Sequence, residues 1–258
     1  MGIKQYTYGY FMKNLIAPHG SNTLNPLFIK DSVQREDLIN NSNDMKKLLL
    51  NSAAAANVVM LGAGYFTPLS GFMDKKNAIS VANDMLTIEG LFWPIPIINL
   101  TEDTNNIKVG DEIALLDPNM KDNPVIAIQQ VSAIESFSDD EIKSMAEKIF
   151  GTTDTNHPGV KNFLSLGNTL ISGDIKVLNF SYFPNEFPGT FATAPEIREM
   201  LIKAGWSKAV AFQTRNPMHR AHEELCKMAL ERLDADGVLI HMTLGKLKEG
   251  DIPGDIRN

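Results

Sequence analysis

One ten-residue stretch, QTRNPMHRAH, holds the side chains of this chain that are best suited to chemistry on an anion. Arg215 carries a planar fork of N–H donors that matches oxyanions, and Gln213 and Thr214 add neutral donors. His219 and His222 are three residues apart, a spacing that puts both imidazoles on one face of a helix. Imidazoles so placed can donate hydrogen bonds to charge that develops in a transition state. Together these residue types favour an anion or nucleotide site.

The elements around this stretch would place it where α/β proteins bind ligands. Residues 208–213 predict a short apolar strand, and Asn216 followed by Pro217 is typical of a helix start, as N-cap and first helical residue. We expect that helix to continue to about Leu233 and to lead into a second buried strand, residues 238–244, parallel to the first. Ligands bind at the carboxyl edge of such a sheet, and a helix N-terminus favours negative charge.

Structural interpretations of the same residues stay open at this point. Capping alone explains Asn216, and an arginine in a strand–helix loop is often just solvated. No third ligand lies near the His pair at a recognised metal-site spacing, so we expect no metal. Cys226 is expected to be a small buried hydrophobe rather than a nucleophile. Five further residues have two interpretations each, as site residues or as ordinary loop, strand or solvated side chains: His19, His157, His241, Lys246 and Lys248.

The chain before this site has the pattern of a small, largely antiparallel β domain decorated with helices. Strands are predicted over residues 113–116 and 125–134, with a strand pair within 163–180. A capping-box pattern that starts at Ser138 predicts a helix over residues 139–150, ended by the next glycine.

Two further segments and a domain boundary can be predicted from the sequence. A helical pattern runs from about residue 44 to residue 53, and residues 151–159 are too rich in turn formers for a regular element. Prolines and a glycine between residues 184 and 189 mark a connection, so we expect domains over residues 1–185 and 186–258. A helix of about ten residues should follow the boundary.

The composition excludes several classes of protein. The chain has 258 residues, 24 Lys and Arg against 31 Asp and Glu, a net charge of −7 and one cysteine. A single cysteine rules out an internal disulfide framework, and the acidic balance argues against a surface that binds nucleic acid or anionic membrane. No signal peptide and no apolar stretch of membrane-spanning length occurs, so we expect a cytoplasmic protein with neither nucleic acid nor membrane as partner.

The ten-residue stretch resembles the signature of the ATP sulfurylase (sulfate adenylyltransferase) family, which belongs to the HxGH-type nucleotidyltransferases. The likeness extends in order over nearly the whole chain. The other similar segments are APHG at residues 17–20, GYFTPLSGF at 64–72, WPIPI at 93–97, GDEIAL at 110–115, HPGV at 157–160 and GKLKEGDI at 245–252.

This resemblance implies an α+β N-terminal PUA-like β-barrel domain followed by the start of an α/β Rossmann-like (HxGH-type) nucleotidyltransferase domain. It implies that ATP and sulfate give adenosine 5′-phosphosulfate and pyrophosphate, by direct in-line attack of sulfate on the α-phosphorus. No permanently bound cofactor is expected, because ATP, as its Mg²⁺ complex, is a substrate.

The resemblance also implies roles for individual residues. The implied site residues are Gln213, Thr214, Arg215, Asn216, His219 and His222. Gln213 and Arg215 would hold sulfate, and all six would contact ATP. The Thr-Arg-Asn trio and the two histidines would be catalytic, the histidines by stabilising the α–β phosphate bridge as it breaks.

The family's later Gly-Arg-Asp-His segment has no match in this chain, which stops soon after the second predicted strand. We therefore expect a C-terminally truncated piece of a longer protein that forms homo-oligomers. Two rival functions remain: a non-catalytic, truncated nucleotide- or anion-binding relative, and a PUA-type RNA-binding module. The acidic balance disfavours the second.

Overall fold

The computed structural model describes residues 15–102, 104, 106–244 and 252–257. Pro18–Ala194 form one compact unit, and the described residues among Met1–Ala17 and Pro195–Asn258 form another. The predicted domain boundary after residue 185 stays a prediction. No helix in the described ranges is long and apolar enough to cross a membrane.

A seven-stranded sheet organises the described part of the first unit. Its strands are β1 (Lys46–Leu49), β2 (Gly71–Phe72), β3 (Leu100–Thr101), β4 (Glu112–Leu116), β5 (Val125–Gln130), β6 (Ala133–Ser136) and β7 (Thr169–Val177). The main order is β1-β4-β5-β7-β2, and β3 and β6 also pair with β7. All these pairings are antiparallel except the parallel pairing of β1 with β4. The largely antiparallel β domain predicted from the sequence is confirmed.

Six α-helices lie before, between and after these strands in the described part of the unit. They are α1 (Ser32–Asn41), α2 (Ser52–Gly62), α3 (Lys75–Asp84), α4 (Asp139–Phe150), α5 (Pro158–Leu164) and α6 (Phe183–Glu186). The prediction for α4 is confirmed at both ends, because Ser138 and Glu141 form the capping box and Gly151 takes the left-handed conformation at the C-terminus.

Two local predictions are wrong, and two hold only in part. The strand predicted over residues 125–134 is divided into β5 and β6. The helical pattern predicted from residue 44 is instead a short 3₁₀ turn and strand β1, which pairs with β4; helix α2 starts only after Asn51, whose side chain caps it. The strand pair expected within residues 163–180 is the single strand β7, which is long because β2, β3, β5 and β6 all pair along it. The turn-rich segment ends in helix α5, where proline occupies the first helical turn.

The two faces of β7 carry two different hydrophobic clusters. Ile171 belongs to a cluster with α2 and the sheet interior, whereas its neighbour Leu170 packs in a cluster with α3, α4 and α5. Successive side chains of a strand point to opposite faces, so one strand serves both clusters. Gly173 is needed where the end of β5 approaches β7, because its φ is +138° and an added Cβ would collide with the Gln130 carbonyl oxygen.

The second unit contains helix α7 (Ala194–Lys203), strand β8 (Ala209–Thr214), helix α8 (Arg220–Leu233), strand β9 (Gly237–Met242) and helix α9 (Gly254–Arg257). β8 and β9 pair in parallel, from Ala209 with Gly237 to Thr214 with Met242. The strand–helix–strand unit, its parallel pairing and the helix of ten residues before it are therefore confirmed. The expectation of a buried second strand is wrong, because Gly237 alone is buried among the six residues of β9.

Candidate functional site

A tight turn at the carboxyl end of β8 holds the centre of the predicted site. Thr214 is buried, and its Oγ1 both accepts from the backbone N–H of Asn216 at 3.1 Å and donates to the Asn216 carbonyl oxygen at 2.8 Å. Both hydrogen bonds close the turn over residues 214–216. The turn therefore presents the half-buried Arg215 and the exposed Asn216 at the edge of the sheet where ligands bind.

Helix α8 begins three residues later than the sequence predicts. Its N-cap is His219, and Asn216, the predicted N-cap, lies in the preceding turn. The physical reason is that the Thr214 hydroxyl takes both backbone groups of Asn216, so the chain crosses Pro217 and Met218 before the helix starts. His219 is therefore the N-cap of α8, and His222 lies in the first turn of the helix.

The two histidines form a close pair at this helix start. Their ring centroids are 3.9 Å apart, with an interplanar angle of 30°. The backbone N–H of His219 donates to Nδ1 of His222 at 3.3 Å, and the His222 N–H donates to the His219 carbonyl oxygen at 2.8 Å. Because Nδ1 of His222 accepts, the proton of its neutral ring sits on Nε2, which is left as the donor atom.

The face of β8 that meets α8 supports this pair. The Phe212 ring lies 5.5 Å from the His222 ring, centroid to centroid. Residues two apart on a strand share a face, so Phe212 and the buried Thr214 lie on the same side of the sheet. One face of one strand therefore positions both the histidine pair and the turn.

Gln213 lies on the opposite face of β8. It is the register partner of His241, and its Nε2 donates to Oγ1 of Thr243 at 3.2 Å. The Thr243 N–H donates to the Thr214 carbonyl oxygen at 2.8 Å, which extends the pairing beyond β9. Sequence reasoning missed Thr243; the only signal for it was its place two residues after His241, on the same predicted face.

The structure therefore brings the six predicted site residues to the carboxyl end of one strand, where they lie in three separate groups. His219 and His222 lie on the α8 side, Gln213 lies on the other face with Thr243, and the turn that contains Arg215 lies between these two groups. A ligand with two anionic parts, one near each face, would suit this layout.

The outer surface of α8 is a poor place for an anion. A shallow depression there is lined by Met218, His219, Arg220, Glu223, Glu224 and Lys227. Lys227 contacts Glu223 at 2.7 Å and Glu224 at 3.1 Å, and the hydrogen bonds that it donates to these two carboxylates raise the pKa of the Lys227 ammonium. The lysine charge is already paired, and the carboxylates would repel a phosphate.

The remaining candidates from the sequence have local roles or lie elsewhere. In the first unit His19 places Nε2 2.7 Å from the Phe92 carbonyl oxygen, and His157 caps α5. Cys226 is buried, as predicted, with 8% of its surface exposed. Lys246 and Lys248 lie outside the described residues. Within the described ranges no group of three or more His, Cys, Asp or Glu side chains could hold a metal.

Family comparisons agree with this two-part architecture. Residues 16–180 match the family model of a PUA-like domain, and residues 189–258 match that of ATP-sulfurylase. The fold class is therefore an α+β PUA-like domain followed by the start of an α/β nucleotidyltransferase domain. The first part of the chain therefore belongs to the PUA-like domain family, and residues 189–258 are similar to the ATP-sulfurylase family.

Relatives and a solved structure show how far the likeness extends. The sulfate adenylyltransferase of Alcanivorax borkumensis is 54% identical over 96% of this chain, and that of Allochromatium vinosum is 52% identical over 95%. The matched region is 62% of each of these relatives, so the chain spans about three fifths of their length. The structure of a hexameric APS kinase from Thiobacillus denitrificans superposes with a TM-score of 0.69 and 26% identity, over 92% of this chain and 41% of that one.

Proposed function

We propose that this chain serves sulfate adenylyltransfer: sulfate attacks the α-phosphorus of ATP to give adenosine 5′-phosphosulfate and pyrophosphate. The observation that carries the proposal is the turn with Arg215 next to the close pair of His219 and His222, at the carboxyl edge of a parallel sheet. The names of the relatives, sulfate adenylyltransferases at up to 54% identity, supply the substrates.

The reaction needs little proton chemistry from the protein. Sulfate is already an anion, so one of its oxygens forms the new bond to the α-phosphorus without a general base. The bond from that phosphorus to the bridging oxygen breaks, and its electron pair leaves with pyrophosphate. The protein must bring two anions together in line and screen their charges.

Each part of the site has a task in this proposal. Gln213 and Arg215 bind sulfate, and Arg215 also screens the repulsion between sulfate and the α-phosphate. Thr214 acts through the turn that it closes, which presents Asn216 to ATP. His219 and His222 donate to the α–β bridge as negative charge builds there; Nε2 of His222 is its available donor atom.

Two further parts of the proposal concern what binds or assembles with the chain. ATP enters as its Mg²⁺ complex, so the metal arrives with the substrate and no resident cofactor is needed. We also propose that the longer protein forms homo-oligomers; the solved structure with the matching fold is described as hexameric.

Removing the charge of Arg215 tests the function. In Arg215→Ala we expect sulfate-dependent ATP–pyrophosphate exchange to fall by about 100-fold or more, the loss usual for one well-placed electrostatic donor. Arg232→Ala is the control, because it also removes an arginine charge but from the last turn of helix α8, far from the N-terminus of that helix. Near-normal exchange in Arg215→Ala would rule out the assignment. A wild-type chain that binds ATP without exchange would support a non-catalytic binding role.

A further inference from the structure

We propose that Thr243 is a positioning residue for sulfate, which acts by holding the Gln213 side chain in its binding orientation. The inference rests on the proposed function, in which Gln213 is a sulfate ligand. It concerns a residue outside the QTRNPMHRAH stretch, contributed by the chain just after the second strand of the sheet.

The backbone fixes where Thr243 lies. The parallel register pairs Gln213 with His241, and residues two apart on a strand share a face, so Thr243 follows on the same face as Gln213. The Thr243 N–H donates to the Thr214 carbonyl oxygen at 2.8 Å. This bond ties Thr243 to the end of β8, directly beside the turn that carries Arg215.

The hydrogen bond between the Gln213 and Thr243 side chains explains how Thr243 positions Gln213. Gln213 is exposed, and a free glutamine in solvent samples many rotamers. Its Nε2 donates one N–H to Oγ1 of Thr243 at 3.2 Å, which restricts the carboxamide and leaves the second N–H of the same nitrogen as a donor for an anion. Because the Gln213 side chain is already ordered before sulfate binds, less conformational entropy is lost on binding and the affinity for sulfate is higher.

The test compares Thr243→Val, which keeps the shape and loses the hydroxyl, with Thr243→Ser, which keeps the hydroxyl. For Thr243→Val we expect the KM for sulfate to rise about 2- to 10-fold, the range that one neutral hydrogen bond supports. We expect kcat and the KM for ATP to change less than about twofold, and Thr243→Ser to restore the wild-type KM. An unchanged sulfate KM in Thr243→Val would overturn the inference.

A double-mutant cycle separates positioning from a general structural effect. If Thr243 acts through Gln213, Thr243→Val adds nothing to the sulfate KM in a Gln213→Ala background. An equal rise in both backgrounds would mean that Thr243 acts by another route, and the inference would be wrong.

A second readout does not depend on turnover. The side-chain amide protons of Gln213, assigned in ¹⁵N NMR spectra by their loss in Gln213→Ala, should move in Thr243→Val toward the positions of the exposed Gln34 amide. Amide resonances that stay unchanged would overturn the inference even in an active enzyme. An inactive wild type would overturn the proposed function, and these resonances would still show whether Thr243 holds Gln213.

Discussion

Thr214 shows how one buried hydroxyl organises an exposed candidate site. Its Oγ1 satisfies both the N–H and the carbonyl group of Asn216, so the turn keeps its shape and presents Arg215 at the edge of the sheet. A polar atom used in this way costs little to bury, because its hydrogen bonds replace those to water.

Removing this hydroxyl should loosen the turn. In Thr214→Val we expect a loss of about 1–3 kcal/mol in local stability, since two backbone groups of Asn216 lose their partner. We also expect a lower kcat, because Arg215 and Asn216 lose their fixed geometry. Hydrogen exchange of the Arg215 and Asn216 amides measures the first effect, and the kinetics of ATP–pyrophosphate exchange measure the second. Thr214→Ser should retain both, and a Thr214→Val variant with wild-type exchange rates and kcat would contradict this role.

The residue types of the site could be predicted from the sequence, but their exact partners could not. Arg215 and the His pair stand out because charge and spacing are visible in a single stretch. Asn216 was misassigned as a cap because the Asn-Pro pattern is local, whereas the competing hydroxyl of Thr214 acts through a turn. Thr243 could not be predicted, because its contact with Gln213 forms only when β8 and β9 pair in register.

At the scale of elements, helix α4 could be predicted from its own segment, whereas strand β1 could not. Helix α4 was predicted at both ends because Ser138, Glu141 and Gly151 specify it within the segment itself. Strand β1 was mistaken for helix because Lys46 to Leu49 are extended only through pairing with β4, far along the chain. Local hydrogen bonds can be deduced from spacing, and long-range pairing cannot.

The start of α4 is also a site where stability should depend on pH. A hydrogen bond from Lys75 at 2.9 Å, followed by one from the Ser138 backbone N–H at 2.7 Å, lowers the pKa of the Glu141 carboxyl. The unfolded chain therefore binds a proton at this carboxyl more readily than the folded chain does. The resulting stabilisation is full above the ordinary glutamate pKa and is lost as the pH falls through the lowered one.

Replacing this carboxylate should remove that part of the acid dependence. We expect Glu141→Gln to reduce stability at neutral pH and to flatten the decline in stability on the acid side. Urea unfolding measured across the acid range gives the comparison. Glu147→Gln, at an exposed position of the same helix, is the control and should keep the wild-type pH profile. A Glu141→Gln profile parallel to wild type would show that the contact with Lys75 has no effect on folding.

At the scale of the whole molecule, buried apolar surface is concentrated in the first unit. Among the described residues, Cys226 and Leu244 are the only buried hydrophobic residues beyond Ala194. The two larger hydrophobic clusters, one around α2 and one around α4, both lie in the first unit. Burial of apolar side chains is the main driving force of folding, so we expect the first unit to be the more stable of the two in this chain.

The first unit should therefore fold without the second. We expect a chain of residues 18–194 to unfold cooperatively, with a free energy of unfolding of about 5 kcal/mol or more. Near-ultraviolet circular dichroism during urea unfolding measures this. Gly173→Ala in the same fragment should abolish the cooperative transition, since its Cβ would meet the Gln130 carbonyl oxygen. A broad, gradual transition in the unmodified fragment would show that its core needs residues beyond 194.

The buried position of Cys226 in α8 gives this second unit a built-in reporter of its motions. The chain has one cysteine, so a thiol reagent has a single target, and 8% exposure leaves that target largely covered until the helix moves. When closing is faster than labelling, the observed rate is the intrinsic rate multiplied by the fraction of molecules that are open. The rate at which the reagent modifies Cys226 in the wild-type protein therefore measures how often α8, the helix that starts at the two histidines, moves far enough to expose the thiol.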